Sequence, residues 1–111
     1  MDLENGIHMV VSMMYDDPVF ASLVEIRNGK VVRMDSFDPI YVLYYLGSRK
    51  KKPPMKVSRQ KVNGMYDLAI LITIRTTGAT WERLKAREEL FIKKHKQRFL
   101  KVIEQDRKKR K

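Results

Sequence analysis

Five carboxylates, Asp16, Asp17, Glu25, Asp35 and Asp38, fall in the first forty positions of the sequence, near expected strand ends. Carboxylates so placed can hold Mg²⁺ for phosphodiester cleavage. Their neighbours assign them plainer work: Asp16-Asp17-Pro18 is turn chemistry, and Asp38-Pro39 caps and opens a helix. Neither a Glu-x-Lys pair nor an ordered carboxylate triad accompanies them, so a Mg-dependent nuclease is the weaker reading. His8 and His95 are the only histidines, and neither has a second ligand three or four residues on. Two isolated imidazoles make a poor metal site, and His95 is expected to be partly buried on a helix. With no cysteine in the chain, thiolate nucleophiles, thiolate metal sites and disulfides are all excluded. No catalytic residue, metal or cofactor is therefore expected.

Residues 75–80, Arg-Thr-Thr-Gly-Ala-Thr, stand between an expected strand and a helix start, where free N–H groups can hold a phosphate. The P-loop spacing is missing and no Gly-Lys-Thr follows. Capping by Thr77 or Thr80 is the expected use, with Arg75 available to a nucleic-acid phosphate.

The cations carry more information. The chain has 24 Lys and Arg against 13 Asp and Glu, a net charge of +11. The first 46 residues have a net charge of −4 and the remaining 65 a net of +15. A surface charged only for solubility intersperses the two signs. Residues 47–64 hold Arg49, Lys50, Lys51, Lys52, Lys56, Arg59 and Lys61 without one acid. Residues 81–111 hold thirteen cations against five acids, including Lys93, Lys94, Lys96, Arg98, Lys101 and the closing run Arg107, Lys108, Lys109, Arg110, Lys111. Two cationic segments far apart in the chain can track a phosphate backbone, each contact releasing a counterion. About eight such contacts would give a slope of log K on log[salt] near −6 to −7. Tyr41, Tyr44 and Tyr45 can stack on bases if exposed, but an apolar run between a cap and a stop favours packing them inward. The aromatic signature of an RRM is absent.

These side chains need a scaffold, and 111 residues suffice for one. A compact chain of 13.2 kDa exposes roughly 6,400 Å², and its radius of gyration is about 13 Å. No apolar run is long enough to span a bilayer, and Asp2 and Glu4 replace a cationic leader start. The expected setting is cytoplasmic, without membrane association.

Residues 7–15 form an apolar run bounded by turn signals, a strand buried on both faces. Asn28-Gly29 predicts a type I′ hairpin between strands 20–27 and 30–37, with Ile26 facing Val31, Glu25 facing Val32 and Leu23 facing Met34. Both of its faces are expected to be partly covered. Asp38 and Pro39 open a short helix over 39–46, which Gly47 stops, although Ile40-Tyr41-Val42 favours strand. Pro53-Pro54 and the lysine run predict a loop over 47–64. Residues 66–75 are β-branched and apolar, as in a central strand. From residue 80 a helical period places Trp81, Leu84, Phe91, His95, Phe99 and Val102/Ile103 on one face. Some 29 residues at 1.5 Å each make roughly 43 Å, more than a compact domain spans, so residues 104–111 should overhang as a basic tail.

The sequence thus predicts a single α+β domain, residues 1–111, with an antiparallel sheet of about four strands packed against a long C-terminal helix. Its expected function is noncatalytic binding of structured RNA, as in a ribosomal or other ribonucleoprotein component. The alternatives are a duplex-DNA-binding chromatin or viral protein, and a protein-interaction module whose acidic face (Asp2, Glu4, Asp16, Asp17) meets a partner while the basic tail steers.

Overall fold

The computed structural model describes residues 3–15, 17–62 and 65–109, with side chains except at 60–62, 65–69 and 99. Lys61 as a contact, the Phe99 ring, Arg110 and Lys111 therefore lie outside the described residues, as do Asp2 and Asp16.

In chain order the elements are β1 (Gly6–Met14), β2 (Asp17–Arg27), β3 (Lys30–Ser36), α1 (Pro39–Ser48), β4 (Met55–Val62), β5 (Met65–Thr76) and α2 (Trp81–Lys109). Five strands, not about four, form one antiparallel sheet in the order β3-β2-β1-β5-β4. Both helices pack on one face of it, an α+β arrangement.

The hairpin turn forms where expected, with Asn28 at φ 51° and Gly29 at φ 75°, the pair of positive angles a type I′ turn requires. Ile26 faces Val31, but the register then slips: Glu25 faces Arg33 and Leu23 faces Asp35. A bulge at Val32 accounts for the difference. It turns Arg33 and Asp35 to the helix side, where each meets an opposite charge. Every β3 residue is exposed, against the expected partial cover, because β3 is a sheet edge.

The assumed loop 47–64 contains β4. Met55 and Val57 alternate with Lys56 and Ser58, and an edge strand tolerates lysine and arginine on its open side. Only residues 49–54 connect α1 to it. Gly47 lies inside α1, which ends one residue later with the Ser48 hydroxyl donating to the Tyr45 carbonyl at 3.1 Å.

Met9 and Val11 of β1, Leu23 of β2, Ile74 of β5, Tyr41, Val42 and Tyr45 of α1 and Leu84 of α2 enclose the core. Two capping contacts set the helices upon it. Asp38 Oδ1 accepts the Ile40 amide at 2.8 Å, and Thr80 Oγ1 accepts the Arg83 amide at 3.2 Å. Residues 75–80 thus do capping work through Thr80. The buried Glu88 carboxylate accepts the Asp38 amide and pairs with Lys85 at 3.0 Å, tying the start of α1 to α2.

α2 leaves the sheet earlier than its apolar pattern implies. Trp81, Leu84, Lys85, Glu88 and Phe91 are buried or half-buried, whereas every described side chain from Ile92 onward is exposed. His95 is therefore exposed, not partly buried, and Ile92, Leu100, Val102 and Ile103 stand in the open. The overhang starts at residue 92 and not at 104. It explains why the molecule measures 59 × 38 × 27 Å with a radius of gyration of 16.8 Å, and why its 8638 Å² of surface exceeds the compact value.

Candidate nucleic-acid interface

Helix α1 buries Tyr41, Val42 and Tyr45, so the 3.6-residue period turns Tyr44 outward, 57% exposed. The Tyr44 ring leans on Phe91 of α2 at 4.9 Å between centroids, and Phe91 meets the His95 ring at 4.1 Å. Tyr41 packs edge-on against Phe91 at 5.3 Å from the core side. This aromatic seam joins α1 to α2 along the floor of a groove.

Two clefts share Tyr44, Phe91 and Lys94 and so make that groove continuous. One, of 540 Å³, is lined by Arg49, Lys50 and Lys51 from the connector and by Arg87 and Lys94 from α2. The other, of 580 Å³, continues along α2 past Lys94, Arg98 and Lys101. Seven cations line the two clefts and, among the described residues, no carboxylate does. None of the four α2 cations makes an ion pair among the described residues. The helical repeat explains their alignment: residues 94, 98 and 101 fall within about 40° of residue 87 at 100° per residue. Lys108 and Lys109 continue the stripe to within about 60°.

Arg49 lies 4.5 Å above the Tyr45 ring, a cation–π contact that holds the first connector cation against the groove. Burial pushes the Tyr45 and Tyr41 hydroxyls above their ordinary value of 10.0, while Arg87 pulls both down and Arg49 pulls Tyr45 down. Both phenols stay neutral at physiological pH.

The two basic segments therefore meet, through six of the residues the sequence put forward: Arg49, Lys50, Lys51, Lys94, Arg98 and Lys101. Of the other described candidates, Lys108 and Lys109 lie farther along the α2 stripe and the rest go elsewhere. Lys52 is exposed outside the groove. Lys56 and Arg75 lie on the opposite sheet face, around a separate cleft, where Arg75 pairs with Glu4. Arg59 is on edge strand β4, and Lys93, Lys96 and Arg107 point away from the α2 stripe. Arg87 is the contributor that sequence reading missed, although its spacing of seven, eleven and fourteen residues to Lys94, Arg98 and Lys101 marks it.

Two of the carboxylates considered for metal chemistry are engaged by the protein's own cations, and Asp38 is engaged as the cap of α1. Glu25 accepts from Arg33 at 2.6 Å and Arg27 at 3.2 Å, and Asp35 pairs with Lys85 at 3.1 Å. Among the described residues no group of three His, Cys, Asp or Glu side chains converges. No described helix is long and apolar enough to cross a membrane.

Comparison with known proteins adds no relative. No protein family, curated protein or solved structure matches the chain.

The same ion pairs set a pH limit on the scaffold. The Arg33 hydrogen bond holds Glu25 below its ordinary value of 4.5, against a smaller opposing effect of burial. The Lys85 hydrogen bond and charge hold Asp35 below 3.8. A carboxyl depressed in the folded state adds stability above its unfolded pKa and loses it as pH falls through the folded one. Thermal midpoints should therefore drop as pH falls from about 5 toward 3, and Glu25→Gln should flatten that limb while lowering the neutral-pH midpoint. An unchanged acid limb in the variant would remove this pair from the account. Lys85 has the opposite sense. Burial lowers its pKa, yet hydrogen bonds to Glu88 and Asp35 outweigh that and raise it above 10.5, so its contribution fades only above that pH.

Proposed function

We propose that the protein binds nucleic acid without cleaving it, structured RNA first, as a component of a ribonucleoprotein assembly. The reading is carried by one observation: cations from residues 49–51 and from α2 converge on one groove that contains no carboxylate among its described residues. A solvated charge run would leave the two segments on unrelated surfaces. Phosphate contacts of this kind position a strand without reading its sequence, and folded RNA supplies such strands at loops and bulges.

Salt dependence tests this. Seven neutralised phosphates predict a slope of log K on log[salt] of about −5 to −6 for a labelled RNA, measured by fluorescence anisotropy. A chain ending at residue 106 should keep its fold, since nothing beyond Phe91 is buried among the described residues, and should keep a slope of about −5 to −6, since all seven groove cations precede residue 107. A wild-type slope near zero, or no binding at low salt, refutes the assignment.

A further inference from the structure

We propose that the groove takes single-stranded nucleic acid, with an unpaired base laid on the ring of Tyr44. This rests on the nucleic-acid reading above and adds the class of strand. Tyr44 lines both clefts, so it stands between the cations at the Arg49 and Arg87 end and those at the Arg98 and Lys101 end. A strand held by both ends must pass over it.

The ring is held in place before any ligand arrives. Phe91 supports it at 4.9 Å with a 36° tilt, and Tyr41 lies 6.2 Å away, yet more than half of the residue remains exposed. A supported ring with open surface and few rotamers to lose is the form that base stacking uses. Inside a duplex, each base face is already covered by its neighbours in the stack, and only edges and phosphates are presented. Cations alone serve a duplex equally well, so the exposed aromatic among them favours an unpaired strand. From Arg87 to Lys101 the α2 stripe spans about 21 Å, room for roughly six nucleotides at the 3.4 Å repeat of a stacked strand. That is within the range of single-strand sites.

The probes are a fluorescein-labelled oligouridylate of about twelve nucleotides and an RNA duplex of equal length, at matched salt. Wild type should bind the single strand about tenfold or more tightly than the duplex. Tyr44→Leu should weaken single-strand binding by roughly 5- to 100-fold and leave duplex binding within about twofold, while Tyr44→Phe, which keeps the ring, stays near wild type. Equal binding of strand and duplex by the wild type overturns the proposal, and so does wild-type behaviour of Tyr44→Leu. The wild-type comparison needs no variant to fold. In either failure, loss of affinity for both probes in Arg98→Ala/Lys101→Ala would show that the nucleic-acid reading survives. Binding of neither probe by wild type would sink both.

Discussion

Replacing Arg87, Lys94, Arg98 and Lys101 together by alanine is expected to lower affinity for a single-stranded RNA about a thousandfold at about 0.1 M salt, and to flatten the salt slope by roughly three. The size follows from counterion release: each phosphate contact contributes between about 0.7 and 0.9 to the slope, which at that salt is most of a decade in affinity. All four side chains are exposed, and alanine is the best helix former, so α2 should persist and far-ultraviolet dichroism should match wild type. A matched control removes four cations outside the groove: Lys52, Lys56, Lys93 and Lys96. It changes net charge equally but should cost far less affinity, because screening weakens charges that make no contact. If both quadruple variants lose affinity alike, net charge and not the groove governs binding.

Leu84→Ala is expected to destabilise the fold by about 3 kcal/mol, within the 2–5 kcal/mol range for emptying a closed apolar site. Leu84 is fully buried, and its contacts set α2 down on the sheet; beyond Phe91 the helix makes no buried contact among the described residues. Urea denaturation should show a lower midpoint with an unchanged m value. A loss under about 1 kcal/mol would mean that the site collapses around the alanine or that α2 is anchored mainly through Glu88 and Phe91. Since α2 carries four of the seven groove cations, loss of its seat would also loosen the interface near the melting temperature.

What the sequence discloses depends on whether the signal is local. Asn28-Gly29, the Asp38-Pro39 cap and the unbroken helical period after Thr80 each act locally, and each element formed, although α1 runs past Gly47 to Ser48 and the hairpin register slips at Val32. Strand β4 was hidden because its alternation is carried by only two apolar residues, Met55 and Val57, among cations, beside Pro53-Pro54. The Asn63-Gly64 pair, of the same type as Asn28-Gly29, separates Val62 from its partner Met65 and was the available sign. The β3 register required knowing that Val32 bulges, which nothing in its own side chain announces. Where α2 parts from the sheet is a question of sheet width, to which the apolar stripe of α2 is blind. For the groove, the two cationic segments were visible, but their meeting depends on α1 packing beside α2 through Tyr41 and Phe91. Tertiary contact brings out what spacing alone leaves unpaired.

Beyond Phe91, α2 is a rod of eighteen residues, about 27 Å long, in which no described side chain is buried. Lys94 and Arg98 sit one turn apart, as do Arg98 and Lys101, and such like-charged neighbours push the turns toward unwinding. A polyanion laid along them would cancel that repulsion and tighten the rod. Ligand capture and helix rigidity would then be thermodynamically linked, with winding of the arm drawing on part of the free energy released as a strand settled in.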